Sequence, residues 1–383
     1  MDKPTVQDIF HRFYPAYLDQ YSPSPVQAKV AHNIMNCKTG AYGANVCVCE
    51  DCGFVQIHYN SCRNRCCPMC QAVPKEMWMD ARREDVLDAP YFHLVFTVPD
   101  ILNPVIYSNQ RLLYDALYHA ASSTISELTA DPKHLGAKVG CICILHTWGS
   151  EMNFHPHIHT ILLGGGLASN NQWKDNGENF FLPIRVISKM FRGKYLEELK
   201  RLWEEDKLVF HGTAEKFRNH YTFKELLDSC YGMDWIPHCK KTFNGAQTVI
   251  KYLGKYTHRI AVSNHRIVRM DDDTVTFLVK DYRNEGQWKE LTISGVEFVR
   301  RFLMHVPPRR FVRIRHYGLL CSRTKSQKLT LCRNLLGCKK YLSKLRDMEM
   351  PEILEHLYGI KVCVCKACGG HLGKPQMRMP LRC

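Results

Sequence analysis

Residues 155–166 read His-Pro-His-Ile-His-Thr-Ile-Leu-Leu-Gly-Gly-Gly, and histidines occupy every second position from His155 to His159. The β-branched and aliphatic residues that follow predict a β-strand. Side chains two positions apart on a strand point to the same face, so His157 and His159 direct two imidazoles toward one point. The stretch therefore predicts a metal site on a strand.

A third ligand for this site is predicted on the preceding strand. That strand, residues 138–146, is largely apolar and ends in His146, and a short polar connector joins it to the histidine strand. Two strands joined in this way most simply form an antiparallel hairpin, which folds His146 back toward the other two imidazoles. Three neutral imidazoles leave coordination positions open, as a catalytic metal requires. Glu151 and His155 are the alternative third ligands.

A helical pattern at 244–260 carries two candidate nucleophiles. Tyr252 and Tyr256 are four residues apart, so on a helix their phenols project side by side and could serve one site in turn. The alternative interpretation is an ordinary core face, because the same tyrosines also fit an apolar stripe. The basic side chains that run beside the tyrosines and suit phosphate groups are Lys251, Lys255 and Arg259.

The amino-terminal cysteines predict structural zinc. Cys49-x2-Cys52 and Cys67-x2-Cys70 are two knuckles with the spacing of one tetrahedral site. A second site is expected from further cysteines of the same segment, with His32 as an additional candidate. These cysteines are Cys37, Cys62 and Cys66.

Two other features accompany the cysteines. Arg63 and Arg65 lie between candidate ligands, where a rigid zinc loop could hold them against DNA phosphates or base edges. Residues 363–383 contain one further knuckle without an obvious second pair, so we expect a partial zinc site there.

The charge of the chain points to nucleic acid. It carries 52 Lys and Arg against 37 Asp and Glu, a formal net charge of +15 over 383 residues. An excess of this size most often accompanies a polyanionic partner, although a solvated basic surface is the alternative. No acidic residue lies between Glu297 and Asp347, and the arginines there that we expect to contact DNA are Arg309, Arg310, Arg313 and Arg315.

The cysteine pattern also predicts a compartment. The 19 cysteines cluster in metal-like spacings and no signal-peptide pattern opens the chain, so we expect a reducing, cytoplasmic environment, with nucleoid association when the protein binds DNA. No apolar run approaches the ~18 residues that span a bilayer, so no membrane role is expected.

Strand and helix patterns mix without a strict βαβ alternation, which predicts an α+β fold with an antiparallel sheet and flanking helices. The expected segments are a zinc-binding DNA-recognition domain at 1–88, a catalytic domain with the tyrosine helix at 89–265, a basic DNA-binding extension of the core at 266–346, and a cysteine-containing tail at 347–383.

Several linked motifs together resemble those of the HUH-type, two-tyrosine rolling-circle transposases of the IS91 family. They are the stretch from His146 to His159 with its triple glycine, the tyrosine pair, the cysteine block at 60–70 and the block at 305–318. The resemblance runs over most of the chain. Position 66 is a cysteine where the family pattern has a histidine, and both residue types can ligate zinc.

The resemblance implies an HUH endonuclease core preceded by a small zinc-binding domain. It implies a transposase that cleaves and rejoins single-stranded DNA, with Tyr252 or Tyr256 forming a covalent 5′-phosphotyrosine in rolling-circle transposition. It further implies Mg²⁺ or Mn²⁺ at the histidine site, with His146 as the upstream third ligand, and structural Zn²⁺. The implied partners are target DNA and single-stranded or hairpin element ends.

Alternative functions share part of these features. An HUH replication initiator or relaxase would use the same chemistry without the zinc domain and the carboxy-terminal block. A non-catalytic, zinc-dependent DNA-binding protein would leave the histidines and tyrosines unused. A small-molecule metallohydrolase would leave the +15 charge unexplained.

Overall fold

The chain has a mixed α+β fold, which confirms the predicted class. The computed structural model describes residues 3–175, 182–235, 238–243, 249, 254, 260–281, 286–374 and 376–378. The strands are β1 (Ala44–Val48), β2 (Val55–Tyr59), β3 (Tyr91–Thr97), β4 (Lys138–Trp148), β5 (Phe154–Leu167), β6 (Trp173–Asp175), β7 (His238–Phe243), β8 (Ile267–Met270), β9 (Thr274–Asp281), β10 (Gln287–Ser294), β11 (Ile314–Gly318) and β12 (Gln376–Arg378). The helices are α1 (Val6–Leu18), α2 (Pro25–Met35), α3 (Ala72–Arg83), α4 (Asn103–Ser108), α5 (Gln110–Ala130), α6 (Ile184–Glu204), α7 (His220–Gly232), α8 (Gly295–Met304), α9 (Lys325–Leu336) and α10 (Met350–Tyr358).

A six-stranded antiparallel sheet holds the histidine strand at its centre. Its strand order is β11-β4-β5-β3-β7, and β6 pairs with the far end of β5. The predicted β4–β5 hairpin is present, with His146 opposite His157 and Ile144 opposite His159. On the other side of β5, Thr97 of β3 lies opposite His157. Because β5 is paired along both edges, its backbone holds the histidines at fixed positions.

The two faces of this sheet have different surroundings. On one face, Phe92, Leu145 and Ile158 pack with α5, α6 and α7 in the largest apolar core. Residues at alternate positions, such as Ile144 and Ile161, point to the opposite face and pack with side chains of α3 and α9. His146, His157 and His159 follow the same alternation as this second set, so they lie on the face away from the three helices.

A second core connects the beginning of the chain to the region after the central sheet. Helices α1 and α2 pack with α8 and the sheet β10-β9-β8, where Phe10 meets the edge of Phe302 with ring centroids 5.2 Å apart. A capping box formed by Thr5 and Asp8 starts α1. Cys67 and Met152 also belong to this core. The zinc loop and the connector of the histidine hairpin therefore share one packed interior.

The third sheet has the order β12-β1-β2 and brings segments from both ends of the described chain together. β1 pairs with β2 on one edge and with β12 on the other, in both cases antiparallel. Two of the predicted segments thus contribute strands to sheets of other segments. β11, from 266–346, extends the central sheet, and β12, from 347–383, joins the amino-terminal sheet. In the ranges described above, no helix is both long enough and apolar enough to cross a lipid bilayer.

Candidate metal centre

Three imidazoles meet on the face of the β4–β5 hairpin that lies away from α5, α6 and α7. The structure brings together His146, His157 and His159, each with a ring nitrogen within 4.8 Å of the others. All three side chains are buried, at 4%, 8% and 8% exposure. The predicted geometry, with two alternating histidines on one strand and the third opposite them, arises from the register of the hairpin.

Hydrogen bonds orient two of these rings with Nε2 toward the common centre. Nδ1 of His157 lies 2.6 Å from the His155 carbonyl oxygen. A carbonyl can only accept, so Nδ1 carries the proton and donates it, which leaves a lone pair on Nε2 of the neutral ring. That Nε2 lies 3.1 Å from Nε2 of His159. A cation between the two nitrogens fits this donor set, because neutral imidazole nitrogens are common metal ligands.

His93 of β3 is a functional candidate that lies outside the sequence motifs. Its Nε2 lies 2.9 Å from Nδ1 of His159, and the two rings stack at 12° with centroids 5.1 Å apart. When His159 ligates through Nε2, its Nδ1–H donates to His93, the arrangement that orients metal-binding histidines in many sites. A signal was present in the sequence, since His93 is a polar residue inside an otherwise apolar strand.

Burial favours the neutral form of the His157 and His159 imidazoles. Burial, and to a smaller extent repulsion from His155, lowers the pKa of His157 to about 3. Burial is the main reason why the pKa of His159 lies well below its usual value, and repulsion from the neighbouring His146 is the second. A neutral imidazole is the form that ligates a metal, so the site is set for cation binding at physiological pH.

The rival third ligands lie outside the cluster. His155 is half-buried, and its Nδ1 lies 3.3 Å from a carboxylate oxygen of Asp100. Glu151 is exposed, and its carbonyl accepts a hydrogen bond from Arg301. His146 instead stacks on Trp148, with ring centroids 4.5 Å apart, and faces the other two imidazoles.

One cysteine cluster is formed within the first 70 residues. Its four thiols belong to Cys37, Cys62, Cys67 and Cys70, with Cys62 Sγ 3.8 Å from Cys70 Sγ. The Asn64 N–H donates to Cys62 Sγ at 3.4 Å. Four thiols at this separation match the tetrahedral sulfur set of a structural zinc ion.

The second cluster combines Cys49 and Cys52 with Cys365 and Cys368. The predicted pairing of the Cys49 and Cys67 knuckles in one site is therefore wrong. β2 separates them, because the first knuckle lies at the turn before β2 and the second follows its far end. At 3.3–3.4 Å per residue, a five-residue strand such as β2 spans roughly 17 Å.

The remaining cysteine predictions are corrected in the same way. The predicted grouping of Cys66 with Cys37 and Cys62 is wrong, because Cys66 lies in neither cluster. Burial raises the pKa of its thiol. Its side chain belongs to the second core. The expected partial zinc site at 363–383 is not partial, since Cys365 and Cys368 lie with the amino-terminal knuckle.

Two family models match the chain. The model described as "Transposase zinc-binding domain" matches residues 9–98, which include the first cysteine cluster. The Y2_Tnp model, described as "Putative transposase", matches residues 140–328, which include the histidine hairpin. The two matches together cover the zinc loop, most of the central sheet and the basic region as far as residue 328.

Two relatives extend this match over most of the chain. The chain is 40% identical over 369 residues to "Putative transposase y4qJ" of Sinorhizobium fredii, spanning 95% of this chain and 93% of that protein. It is 30% identical over 309 residues to the transposase for insertion sequence element IS801 of Pseudomonas savastanoi pv. phaseolicola, spanning 79% and 72%. The chain belongs to the IS91 family of transposases.

Solved structures overlap with this transposase only in part. The metal-free and metal-bound structures of the conjugative relaxase TrwC in complex with oriT DNA each give a TM-score of 0.25, at 13% and 14% identity. Each overlap covers 43% of the transposase and 71% or 70% of the relaxase chain.

The predicted tyrosine helix of the transposase falls mostly outside the described residues. This applies to Tyr252 and Tyr256 and to the basic side chains beside them, Lys251, Lys255 and Arg259. Val249 is described and packs in the apolar cluster that covers the histidine-bearing face of the sheet. Gly254 is also described, and a methyl group added there would overlap Met79 of α3, a member of the same cluster.

Exposed arginines of the transposase line a cleft between the zinc loop and the basic region. The cleft has a volume of about 350 Å³ and is lined in part by Lys29, Arg65, Arg309 and Arg310. Arg65 also donates to the Phe311 carbonyl at 2.6 Å, which fixes the zinc loop against this region. The cleft therefore presents several cations that suit phosphate groups.

Other predicted DNA contacts have different surroundings. Arg63 is exposed in the zinc loop but does not line the cleft. Arg313 is buried, with its guanidinium 5.5 Å from the centre of the Trp148 ring. Arg315 lies 4.1 Å from the centre of the Tyr118 ring and is ion-paired with Asp115. Arg313 and Arg315 thus pack around the central sheet, and Arg309 and Arg310 remain the exposed pair of this block.

Proposed function

We propose that this transposase cleaves and rejoins single strands of DNA at a divalent cation held by His146, His157 and His159. The observation that carries the proposal is the buried cluster of three imidazoles, two of them oriented with Nε2 toward its centre. A basic chain of +15 charge supplies the affinity for the phosphate backbone.

Mg²⁺ or Mn²⁺ is the proposed cation, and when bound it polarises the scissile phosphate and stabilises negative charge on its oxygens. Three protein nitrogens leave further positions for phosphate oxygens and water. Because the donor set is entirely nitrogen, it favours Mn²⁺ over the harder Mg²⁺. The histidines bind and orient, and none of them needs to accept a proton in order to do so.

Tyr252 and Tyr256 are the proposed nucleophiles. The phenolic oxygen loses its proton and attacks phosphorus, the bond from phosphorus to the 3′ oxygen breaks, and the departing 3′ oxygen takes up a proton to become a hydroxyl. The products are a 5′-phosphotyrosine and a free 3′ end, and the reverse reaction with a second strand rejoins DNA. Two tyrosines allow two such exchanges in succession, as rolling-circle transposition needs.

The described neighbours of the tyrosines support this assignment. Val249 and Gly254 precede and follow Tyr252 in sequence, and both are buried. Val249 packs with Ile144 and Ile161, which share the histidine-bearing face of the sheet. The packing of these two described residues supports a role for Tyr252 and Tyr256 at a phosphate held by the histidines.

The proposed DNA path runs from the metal centre toward the cleft with Arg309 and Arg310. We propose that the zinc domain and this cleft recognise single-stranded or hairpin element ends, while target DNA enters the same centre. Association with the nucleoid follows from this affinity. Phosphate contacts of this kind position a strand without reading its sequence.

The test uses single-stranded oligonucleotides that cover both ends of the mobile element, with Mg²⁺ or Mn²⁺. We expect a cleaved product with protein covalently attached to its 5′ side, reduced by Tyr252→Phe or Tyr256→Phe and absent when both are replaced. Undiminished cleavage in the double variant would overturn the nucleophile assignment.

A second set of variants tests the metal centre. His157→Ala with His159→Ala should abolish cleavage and leave DNA binding intact, whereas His155→Ala is a matched control from the same strand that retains both. If DNA binding disappears along with cleavage in the first variant, the histidines have a structural role and a non-catalytic DNA-binding protein becomes the better explanation.

A further inference from the structure

The second cysteine cluster is built from two knuckles of the same design. Residues 49–53 and residues 365–369 both read Cys-x2-Cys-Gly. Both glycines have positive φ, 71° at Gly53 and 78° at Gly369, a conformation that favours glycine. The local sequence therefore supports the same sharp turn at two sites more than 300 residues apart.

The backbone hydrogen bonds of the two turns also correspond. Gly53 N–H donates to the Cys49 carbonyl at 3.0 Å, and Gly369 N–H donates to the Cys365 carbonyl at 3.0 Å. Each turn closes with a second bond, from Cys49 N–H to the Phe54 carbonyl at 2.9 Å and from Cys365 N–H to the Gly370 carbonyl at 2.8 Å. Two equivalent turns face each other with their thiols between them.

The sulfur separations fit one tetrahedral ion. Cys49 Sγ lies 3.5 Å from Cys368 Sγ, and Cys52 Sγ lies 3.8 Å from Cys365 Sγ. A zinc–sulfur bond of about 2.3 Å places tetrahedral sulfurs roughly 3.8 Å apart, whereas a disulfide needs about 2.05 Å. All four thiols are free.

Backbone amides stabilise the sulfurs of the carboxy-terminal knuckle as thiolates. Ala367 N–H donates to Cys365 Sγ and Gly370 N–H donates to Cys368 Sγ, both at 3.4 Å. Such bonds favour the deprotonated form that a metal binds.

We infer that Cys49, Cys52, Cys365 and Cys368 bind one structural zinc ion that fastens the carboxy-terminal segment to the amino-terminal zinc domain. The matched zinc-binding family model ends at residue 98, so half of these ligands lie outside it. The domain is discontinuous in sequence, and its third strand, β12, comes from the segment that this ion holds. The inference does not depend on the proposed DNA cleavage.

The apolar packing around the site is small, so a bound ion would add substantially to the contacts that hold the segment. In the part of the chain that the structure describes, the buried cluster there consists of Cys47, Cys49, Cys365 and Leu372. Backbone contacts also join the two parts: β12 pairs with β1, Glu50 N–H donates to the His371 carbonyl at 3.1 Å, and Gly373 N–H donates to the Val48 carbonyl at 2.9 Å. Small units of this kind commonly depend on a bound metal for folding.

Zinc content of the full-length protein tests the inference. Wild type should hold about two zinc ions per chain, one for each cysteine cluster. Cys49→Ser with Cys52→Ser should remove one, and Cys365→Ser with Cys368→Ser should remove one. The four-serine variant should also lose only one, because both pairs serve the same ion. Loss of two zinc ions from the four-serine variant would overturn the site. An unchanged zinc content after replacement of Cys365 and Cys368 would also overturn it.

Cys363→Ser is the matched control, because this exposed cysteine is close in sequence and outside the cluster. It should keep both ions. Amide exchange gives a readout that is independent of metal counting: the carboxy-terminal pair variant should lose protection at 363–378, while the control keeps it. Retained protection in the pair variant contradicts the fastening role.

A measurement on wild-type protein covers the case in which the variants are insoluble. After exchange of zinc for ¹¹³Cd²⁺, the full chain should show two cadmium resonances in the all-thiolate range. A single resonance overturns the second site.

Discussion

Replacement of His93 tests whether the metal centre depends on a residue that makes no direct contact with the cation. His93→Leu preserves much of the buried volume but removes the ring nitrogen that faces His159 Nδ1 at 2.9 Å. His159 then loses this hydrogen bond in a site where both side chains are buried. The orientation of its ring, and the tautomer that ligates through Nε2, are then less strongly favoured.

The magnitude follows from that lost acceptor. Leaving a buried donor unpaired costs about 1–3 kcal/mol. If the cost falls on the metal-bound form, in which His159 must hold its proton on Nδ1, the affinity for the cation falls about 10-fold for each 1.4 kcal/mol. The expected loss is therefore about 5- to 140-fold, which spans the roughly 10- to 100-fold range found for comparable supporting residues around metals.

Mn²⁺ titration followed by electron paramagnetic resonance of the free ion measures this affinity, with the His157→Ala, His159→Ala protein as the baseline. His93→Gln should restore part of the affinity, because its amide oxygen can accept the same hydrogen bond. Zinc content should stay at the wild-type value in both variants. Wild-type Mn²⁺ affinity in the leucine variant would refute the supporting role of His93.

Three further predictions concern other parts of the molecule. A methyl group at Gly295 would overlap the Phe13 ring, so Gly295→Ala should destabilise the protein by about 1–3 kcal/mol in urea unfolding. Gly193→Ala, with open space in the middle of α6, should instead stabilise it by about 0.5–1 kcal/mol, and equal effects would contradict the packing argument. Hydrogen bonds from Arg300, together with Arg301, lower the pKa of Glu297 to about 2, below the unfolded value of about 4.3. The unfolding free energy of wild type should thus exceed that of Glu297→Gln by its full amount above pH 5, and the difference should shrink as the pH falls toward 2. A difference that grows in acid would contradict this prediction. Arg309→Ala with Arg310→Ala should reduce the slope of the logarithm of the single-strand binding constant against the logarithm of the salt concentration by about 1.4. Arg218→Ala with Lys224→Ala replaces two exposed cations outside the cleft and should leave this slope unchanged.

Local patterns were sufficient for the histidine site. Strand alternation and one short connector placed His146, His157 and His159 correctly, because hairpin partners are close in sequence and their register decides which side chains meet. The α+β class followed from the same periodicities. His93 was missed because its strand pairs with β5 across more than 60 residues, and no spacing rule covers such a contact.

The cysteines and arginines show where sequence reasoning ends. A Cys-x2-Cys spacing identifies a knuckle but not its partner, and the nearer knuckle was the wrong choice for Cys49 and Cys52. A run of arginines indicates positive charge, yet burial separates Arg313 from the exposed Arg309 and Arg310. Both distinctions depend on tertiary packing, which neither spacing nor composition encodes.

The distance in sequence between the two halves of the second cysteine cluster has a consequence for synthesis. Cys52 and Cys365 are 313 residues apart. At about 5–20 residues per second, the ribosome needs roughly 16–60 s to make the second knuckle after the first has been made. During that interval the nascent amino-terminal sheet lacks β12 and two of the four thiols, so it must be kept reduced until its partner emerges. A product truncated before residue 365 would never complete this cluster, which makes the second zinc ion a marker of synthesis beyond Cys368.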